Sequence, residues 1–143
     1  MISRVSNHGK AMLTQFEHGF TLYSHNQLYG VWKVYPRDQI PVSNRSERVV
    51  LHTPEHSVVL YSASDITVLP TERLHEHPFL AKLGPEVLDE SLHWRELRER
   101  FQLPAFRNRR STSLLLDQTF LAGLGNYLRS EILFDAGVHP WLR

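Results

Sequence analysis

With 143 residues, 41% hydrophobic and 22% charged, the chain has the composition of one globular unit or two very small ones, which excludes a disordered protein. It has no cysteine, so a disulfide and a thiolate zinc site are both excluded and stability must come from packing. No apolar run approaches the roughly 18 residues of a membrane span, no signal-like start is expected, and a formal net charge of +1 does not by itself argue for nucleic acid.

From Ile2 to about Leu69 the pattern is short, half-buried segments rich in β-branched and aromatic residues, separated by turn formers. Ala11 to Phe16 and Phe20 to Ser24 flank Glu17-His18-Gly19 as a hairpin loop, and Gly30 to Tyr35 alternates before Pro36. Arg37 to Glu47 reads as an exposed loop. Arg48 to His52 and Ser57 to Tyr61 read as a second hairpin around Thr53 to His56. Two stacked antiparallel sheets suit this pattern, and so does one sheet packed on helices.

Helical character takes over after Pro70. Thr71 can cap a short helix from Glu72 to Glu76, which His77-Pro78 stops. Gly84-Pro85 marks a boundary, Asp89 to Leu92 leads into a helix ending near Gln102, and a further helix runs about Ser111 to Asp117. The fold class is therefore α+β, with a β-sandwich-like region at 1–70, a connector at 71–88 and a helical region at 89–143. Arginines crowd the last of these. Arg95 to Arg100 reads as a solvated face paired with Glu96 and Glu99, whereas Arg107-Asn108-Arg109-Arg110 meets no acidic residue before Asp117 and divides evenly between phosphate contact and idle surface.

The stretch Leu114 to Pro140 joins two apolar helical runs through Ala122-Gly123-Leu124-Gly125. Two glycines there can take positive φ and keep bulk away, so backbone N–H groups can approach a ligand. Asn126 stands at an N-cap position, and Tyr127, Leu128, Ile132, Leu133 and Ala136 follow at the spacing of a core-facing stripe. Unpaired amides and the positive end of a helix dipole make an anion site, for which a DNA or RNA phosphate is a natural occupant. A plain helix-turn-helix corner is the commoner meaning of such a spacing.

Three other places could carry chemistry. Gly9-Lys10 opens a strand and holds an ammonium at a sheet edge, where a lysine ordinarily serves to discourage strand pairing. Gln27-Leu28-Tyr29-Gly30 lies at a strand-to-strand turn; Leu28 and Tyr29 are either core residues or an exposed wedge. Nine histidines invite a metal, but only His75 and His77 form a close pair and nothing completes a site, so no metal is expected.

The run LLLDQTFLAGLGNYLRSEILFDAGVHP closely resembles the helix-two-turns-helix motif of the formamidopyrimidine-DNA glycosylase and endonuclease VIII family of bacterial base-excision repair enzymes. GKAMLTQF, FTLYSHNQLYGVW, VVLYSASDI, HPFLAKLGPEVLD and FRNRR extend the resemblance from about Val5 to the last residue. It implies that Lys10 contacts the phosphate beside a lesion and assists elimination as a catalytic residue. It further implies that Gln27, Leu28 and Tyr29 fill the void left by a flipped nucleotide, and that Asn126 clamps a phosphate. Lys82 stands where the family tends to have an arginine on DNA, so a planar fork becomes a point charge. Asp117 and Arg129 are expected to be structural, one bonding the turn and the other pairing with Glu131 or Asp135.

Family members begin Met-Pro-Glu and end in a four-cysteine zinc finger, whereas this chain begins Met1-Ile2-Ser3 and has no cysteine. The resemblance thus implies a fragment of a DNA glycosylase and abasic-site lyase acting on oxidised pyrimidines, cytoplasmic, without cofactor, whose partner is duplex DNA with damaged or abasic sites. Weak DNA binding is expected to persist while catalysis is lost. A non-catalytic nucleic-acid-binding module and a self-associating interaction domain remain as alternatives.

Overall fold

A computed structural model describes residues 1–142, and the chain divides into two compact units, Met1–Glu72 and Arg73–Arg143. Arg143, the last residue of the helical region read from the sequence, lies outside the described residues.

The first unit is all antiparallel β. Strands β1 (Ile2–His8), β2 (Ala11–Phe16), β3 (Phe20–His25), β4 (Val31–Pro36), β5 (Glu47–His52), β6 (His56–Tyr61) and β7 (Asp65–Pro70) form two sheets, ordered β1-β2-β3-β7 and β4-β6-β5. Burial on both faces marks the strands that lie deepest. In β3, Thr21, Leu22, Tyr23 and Ser24 are all buried, as an internal strand covered on both faces must be, and β6 likewise buries Val59, Leu60 and Tyr61. Val5 and Met12 of the first sheet and Trp32, Leu51 and Val58 of the second line one apolar cavity of about 270 Å³, so the two sheets face each other. The sandwich reading is the one the chain adopts.

The hairpin between β1 and β2 turns on two residues, Gly9 and Lys10, with Gly9 at φ +59°. Lys10 thus sits at a hairpin tip, just ahead of the strand it was expected to open. Strand β7 pairs with β3 from Phe20↔Pro70 to His25↔Asp65, which places Ser64 and Asp65 at the same end of the sheet as Lys10 and Gln27.

The second unit holds 3-10 turns at Thr71–Glu76 and Leu80–Lys82, the first of them spanning the boundary between units, and helices α1 (Trp94–Gln102), α2 (Ser111–Leu114) and α3 (Asn126–Asp135). Its core is Phe106, Leu114, Leu115, Phe120, Leu121, Leu124 and Leu133. Phe120, wholly buried, meets Phe101 and Phe106 edge-on at ring separations of 4.8 and 5.1 Å. Residues of the stretch 71–88 are bonded into this unit: Gly84 N–H donates to the Gln118 carbonyl, Val87 N–H to Ala122, and Ala122 N–H to the Pro85 carbonyl. A Cβ on Gly84 would lie 2.6 Å from the Thr119 carbonyl oxygen, so only glycine permits that approach.

Ahead of α1, as the segment leading into the helix, Asp89 bonds the Ser91 N–H and hydroxyl, and His93 caps the helix by accepting from Arg95 N–H. Further along, local expectations are corrected. Helix α2 stops at Leu114 because Asp117 turns its side chain onto Thr119 N–H, starting the next turn. Arg100 does not belong to a solvated face. Its guanidinium donates to the carbonyls of Phe120 and Thr119 at 2.9 and 2.7 Å and lies over the Phe106 ring, binding α1 to the turn before α3.

Candidate nucleic-acid interface

The corner before α3 is fastened by one side chain. Gln118 accepts from Gly123 N–H at 3.0 Å through Oε1, while its Nε2 donates to the carbonyls of Leu116 and Leu124. Gly123 takes φ +96°, as the glycine pattern required, but Gly125 is extended at φ −126°. The amides of Ala122 and Gly123 are therefore consumed by Pro85 and Gln118. What the corner offers is the first turn of α3, whose Asn126, Tyr127 and Leu128 N–H groups have no acceptor among the described residues.

Asn126 is the first helical residue; the cap is Gly125, with no side-chain bond, so the expected Asn126 cap is corrected by one position. The Asn126 carboxamide is exposed, and the residue's backbone carbonyl accepts from the Ser130 hydroxyl at 2.9 Å. The core-facing stripe is also corrected. Leu133 is buried and Ile132 half-buried, but Tyr127 is 92% exposed, Leu128 43% and Ala136 is exposed. A ten-residue helix packed on one small core buries only its second half, and its opening turn stands in solvent.

Arg109 is spoken for. It donates to Asp117 at 2.6 Å, and Asp117 also accepts from the Thr119 amide and hydroxyl. Burial alone would raise the Asp117 carboxyl, yet the Thr119 and Arg109 bonds together hold it below the ordinary aspartate value. Asp117 is thus structural, as expected. Arg129 has no ion-pair partner among the described residues, contrary to the expected pairing with Glu131 or Asp135. Arg110 lies over the Trp141 ring, which leaves Arg107, exposed and unbonded among the described residues, as the cation of that run open to a ligand. Lys82 ends the second 3-10 turn with its side chain exposed.

In the first unit the four candidates gather at one end of the β1-β2-β3-β7 sheet. The Lys10 ammonium is lowered from the ordinary 10.5 by partial burial, and no hydrogen bond or ion pair holds it among the described residues. Beyond β3 the chain closes a loop in which Gly30 N–H donates to the Asn26 carbonyl at 2.8 Å. A Cβ on Gly30 would meet that oxygen at 2.5 Å. Between these ends Leu28 is 80% exposed and Tyr29 71% exposed. The core reading of the pair is excluded.

Gln27 takes φ +52°, a left-handed conformation unusual for a residue with a side chain. Two contacts hold it there: its N–H donates to His25 Nδ1 at 3.1 Å, and its Oε1 accepts from the Ser64 hydroxyl at 2.6 Å. Neither His25 nor Ser64 stands out in the sequence by charge or spacing. The one usable signal is that a side-chain acceptor two residues before a turn residue can bond its amide.

No three His, Asp or Glu side chains converge on a point among the described residues. His77 is buried with Nδ1 accepting from Phe79 N–H, and His75 is exposed. A four-cysteine zinc site has no ligands in this chain. No helix is long and apolar enough to cross a membrane.

The second unit thus offers a glycine-bearing corner opening a helix with free first-turn amides, and the β unit carries an exposed apolar loop. Residues 83–142 match the family model described as the formamidopyrimidine-DNA glycosylase H2TH domain. The chain is 54% identical over 138 residues to Endonuclease 8 of Salmonella typhimurium strain SL1344, and equally to that of Salmonella newport strain SL254. Each match covers 96% of this chain and 52% of the relative. The chain is thus similar to Endonuclease 8 along nearly its whole length and spans about half the length of the curated relatives it matches.

The fold is shared with Lactococcus lactis formamidopyrimidine-DNA glycosylase. One structure of that enzyme is bound non-covalently to DNA containing an AP site (TM-score 0.84, 22% identity, 99% of this chain and 54% of that one). Another is in complex with DNA containing an oxidised pyrimidine (TM-score 0.84, 22% identity, 99% and 53%).

Proposed function

We propose that this chain binds duplex DNA at damaged or abasic sites and is part of a cytoplasmic glycosylase and abasic-site lyase directed at oxidised pyrimidines. The observation that carries this reading is the exposed pair Leu28 and Tyr29 beside a Gln27 fixed at positive φ. Leaving two large apolar side chains in water forfeits about 1.5–3 kcal/mol each relative to burial, so the loop is shaped for something other than stability. The 54% identity to Endonuclease 8 supports that reading of the loop.

The roles divide by residue. When a damaged nucleotide leaves the stack, Leu28 and Tyr29 fill the hole and the Gln27 carboxamide meets the orphaned base. The amides opening α3, the Asn126 carboxamide and the Lys82 ammonium contact phosphates. Lys10 contacts the phosphate beside the lesion. Its lowered pKa enlarges the free-amine fraction, which favours attack on a deoxyribose aldehyde at an existing abasic site. Cleavage of an intact glycosidic bond also needs a proton donor, and among the described residues no carboxylate pairs with Lys10. The reading for this chain is weak binding to damaged duplex without glycosylase turnover.

Two assays test this. Contacts to about three or four phosphates give a log affinity that falls with log salt at a slope of about −3, and a salt-independent affinity contradicts the reading. Borohydride trapping on an abasic oligonucleotide, with wild type beside Lys10→Ala, is expected to yield an adduct that the variant loses. An adduct that persists in the variant removes Lys10 from the chemistry.

A second reading, self-association, rests on Phe134 at 87% and Trp141 at 67% exposure. Size that rises with concentration in light scattering, without DNA retention, favours it.

A further inference from the structure

The Gln27 loop is held by two side chains that the family resemblance does not assign. Gln27 is the only residue of the loop in the left-handed region, and it bonds twice to its surroundings. The backbone bond runs to His25, the last residue of β3; the side-chain bond runs to Ser64, just before β7. We propose that His25 and Ser64 are positioning residues for the probing loop: the His25 imidazole fixes the Gln27 backbone, and the Ser64 hydroxyl fixes the carboxamide that faces DNA. This rests on the DNA-probing role given to Gln27, Leu28 and Tyr29 above.

The bond to His25 has a definite chemical requirement. Nδ1 accepts an N–H, so it must carry a lone pair and the ring proton must sit on Nε2. Protonation of Nδ1 would turn two donors toward each other and release Gln27 from its strained φ. The groups around the ring can be read from the sheet register. His8, Ala11, His25 and Asp65 stand directly across from one another on neighbouring strands and share a face. Lys10 sits at the adjoining hairpin tip, and Tyr23 on the same strand donates to Asp65 at 3.0 Å.

Burial lowers the His25 pKa from its ordinary 6.5, the Lys10 charge lowers it further, and Asp65 acts in the opposite sense. The ring is therefore neutral at neutral pH, and the bond is complete above the ordinary histidine value and lost as pH falls through the lowered one.

The test uses the full chain with ¹⁵N-glutamine and two duplexes of equal length, one matched and one holding a tetrahydrofuran abasic analogue. The readouts are the Gln27 backbone and side-chain amide resonances and the ratio of abasic to matched affinity, both followed between about pH 5 and about pH 8. Taking a ratio cancels any general, non-specific dependence of DNA affinity on pH.

Wild type is expected to lose about three- to tenfold of its abasic preference at the acid end, the scale of one hydrogen bond. His25→Phe, which keeps the ring and removes the acceptor, is low throughout. His25→Asn, whose side-chain oxygen also reaches the amide two residues on, restores the preference and makes it independent of pH. Ser64→Ala lowers the preference at every pH and collapses the separation of the Gln27 side-chain amide protons. Wild-type ratios and pH profiles in His25→Phe and Ser64→Ala would overturn the proposal. If wild type prefers neither duplex at any pH, the DNA reading of the loop fails and the resonances judge the positioning alone. A Gln27 amide whose pH dependence His25→Asn abolishes sustains it, and an amide unmoved by pH or by His25→Phe overturns it.

Discussion

The two turns that carry the candidate residues solve the same problem in opposite ways. Between Asn26 and Gly30 the chain exposes side chains: Leu28 and Tyr29 stand in water while a strained Gln27 is bonded down from both sides. Between Ala122 and Asn126 it exposes backbone. Gly123 absorbs the positive φ, Gln118 closes the turn behind it, and the first-turn amides of α3 are left open. A loop built from side chains can respond to what is missing from a DNA stack, whereas one built from backbone amides suits a phosphate, which is the same at every step. On the proposed reading, recognition and grip are separable by mutation, because they would rest on different kinds of atom in different units.

The largest effect is expected inside the gripping unit. Phe120→Ala removes a fully buried ring that Phe101, Phe106 and Arg100 all contact, and should cost about 3–5 kcal/mol in urea unfolding. The β unit, followed by its own tryptophan, Trp32, should keep its transition. A common loss in both would break the separation drawn above.

Next comes Asp117→Asn, which weakens the Arg109 pair and the bonds to Thr119 and should cost about 1–3 kcal/mol. Because its carboxyl is held below the ordinary value, wild type keeps this stability above about pH 4 and loses it as pH falls through the lowered value. The variant should lack that acid limb, which an unfolding series at several pH values would reveal.

Asn126→Ala sharpens the functional half of the comparison. Its side chain is exposed and makes no bond within the chain among the described residues, so stability should hold within about 0.5 kcal/mol. Affinity for matched and abasic duplex alike should drop by about tenfold, the scale of one charge-assisted hydrogen bond, in a fluorescence anisotropy titration. A drop confined to the abasic duplex would put Asn126 in recognition instead. The smallest effect belongs to Leu28→Ala, which at 80% exposure should shift the β-unit transition by less than about 0.5 kcal/mol.

Much of this organisation could be read from the amino acids because it rests on local pattern. The alternation of Ala11 to Tyr61 marks strands, and Gly123 marks the corner where positive φ is needed. What could not be read was set by tertiary partners. Whether Leu28 and Tyr29 were core or wedge depended on what covered them, and periodicity carries no such information. The apolar stripe of α3 departs from its spacing at Tyr127 and Leu128 for the same reason: a helix can present apolar residues at core spacing where no core lies beneath. Arg100 read as solvated because its Glu96 and Glu99 neighbours were visible along the chain, while the Phe120 and Thr119 carbonyls it binds lie about twenty residues on. His25 and Ser64 acquire meaning only once β7 is seen to pair with β3.

The most direct test sets an abasic-analogue duplex against a matched duplex of equal length in competition, at fixed salt, for wild type and for Leu28→Ala/Tyr29→Ala. Wild type should prefer the abasic duplex, and the double variant should bind both with the affinity wild type shows for the matched one. Equal binding of the two duplexes by wild type, or a preference that survives in the double variant, would contradict the account.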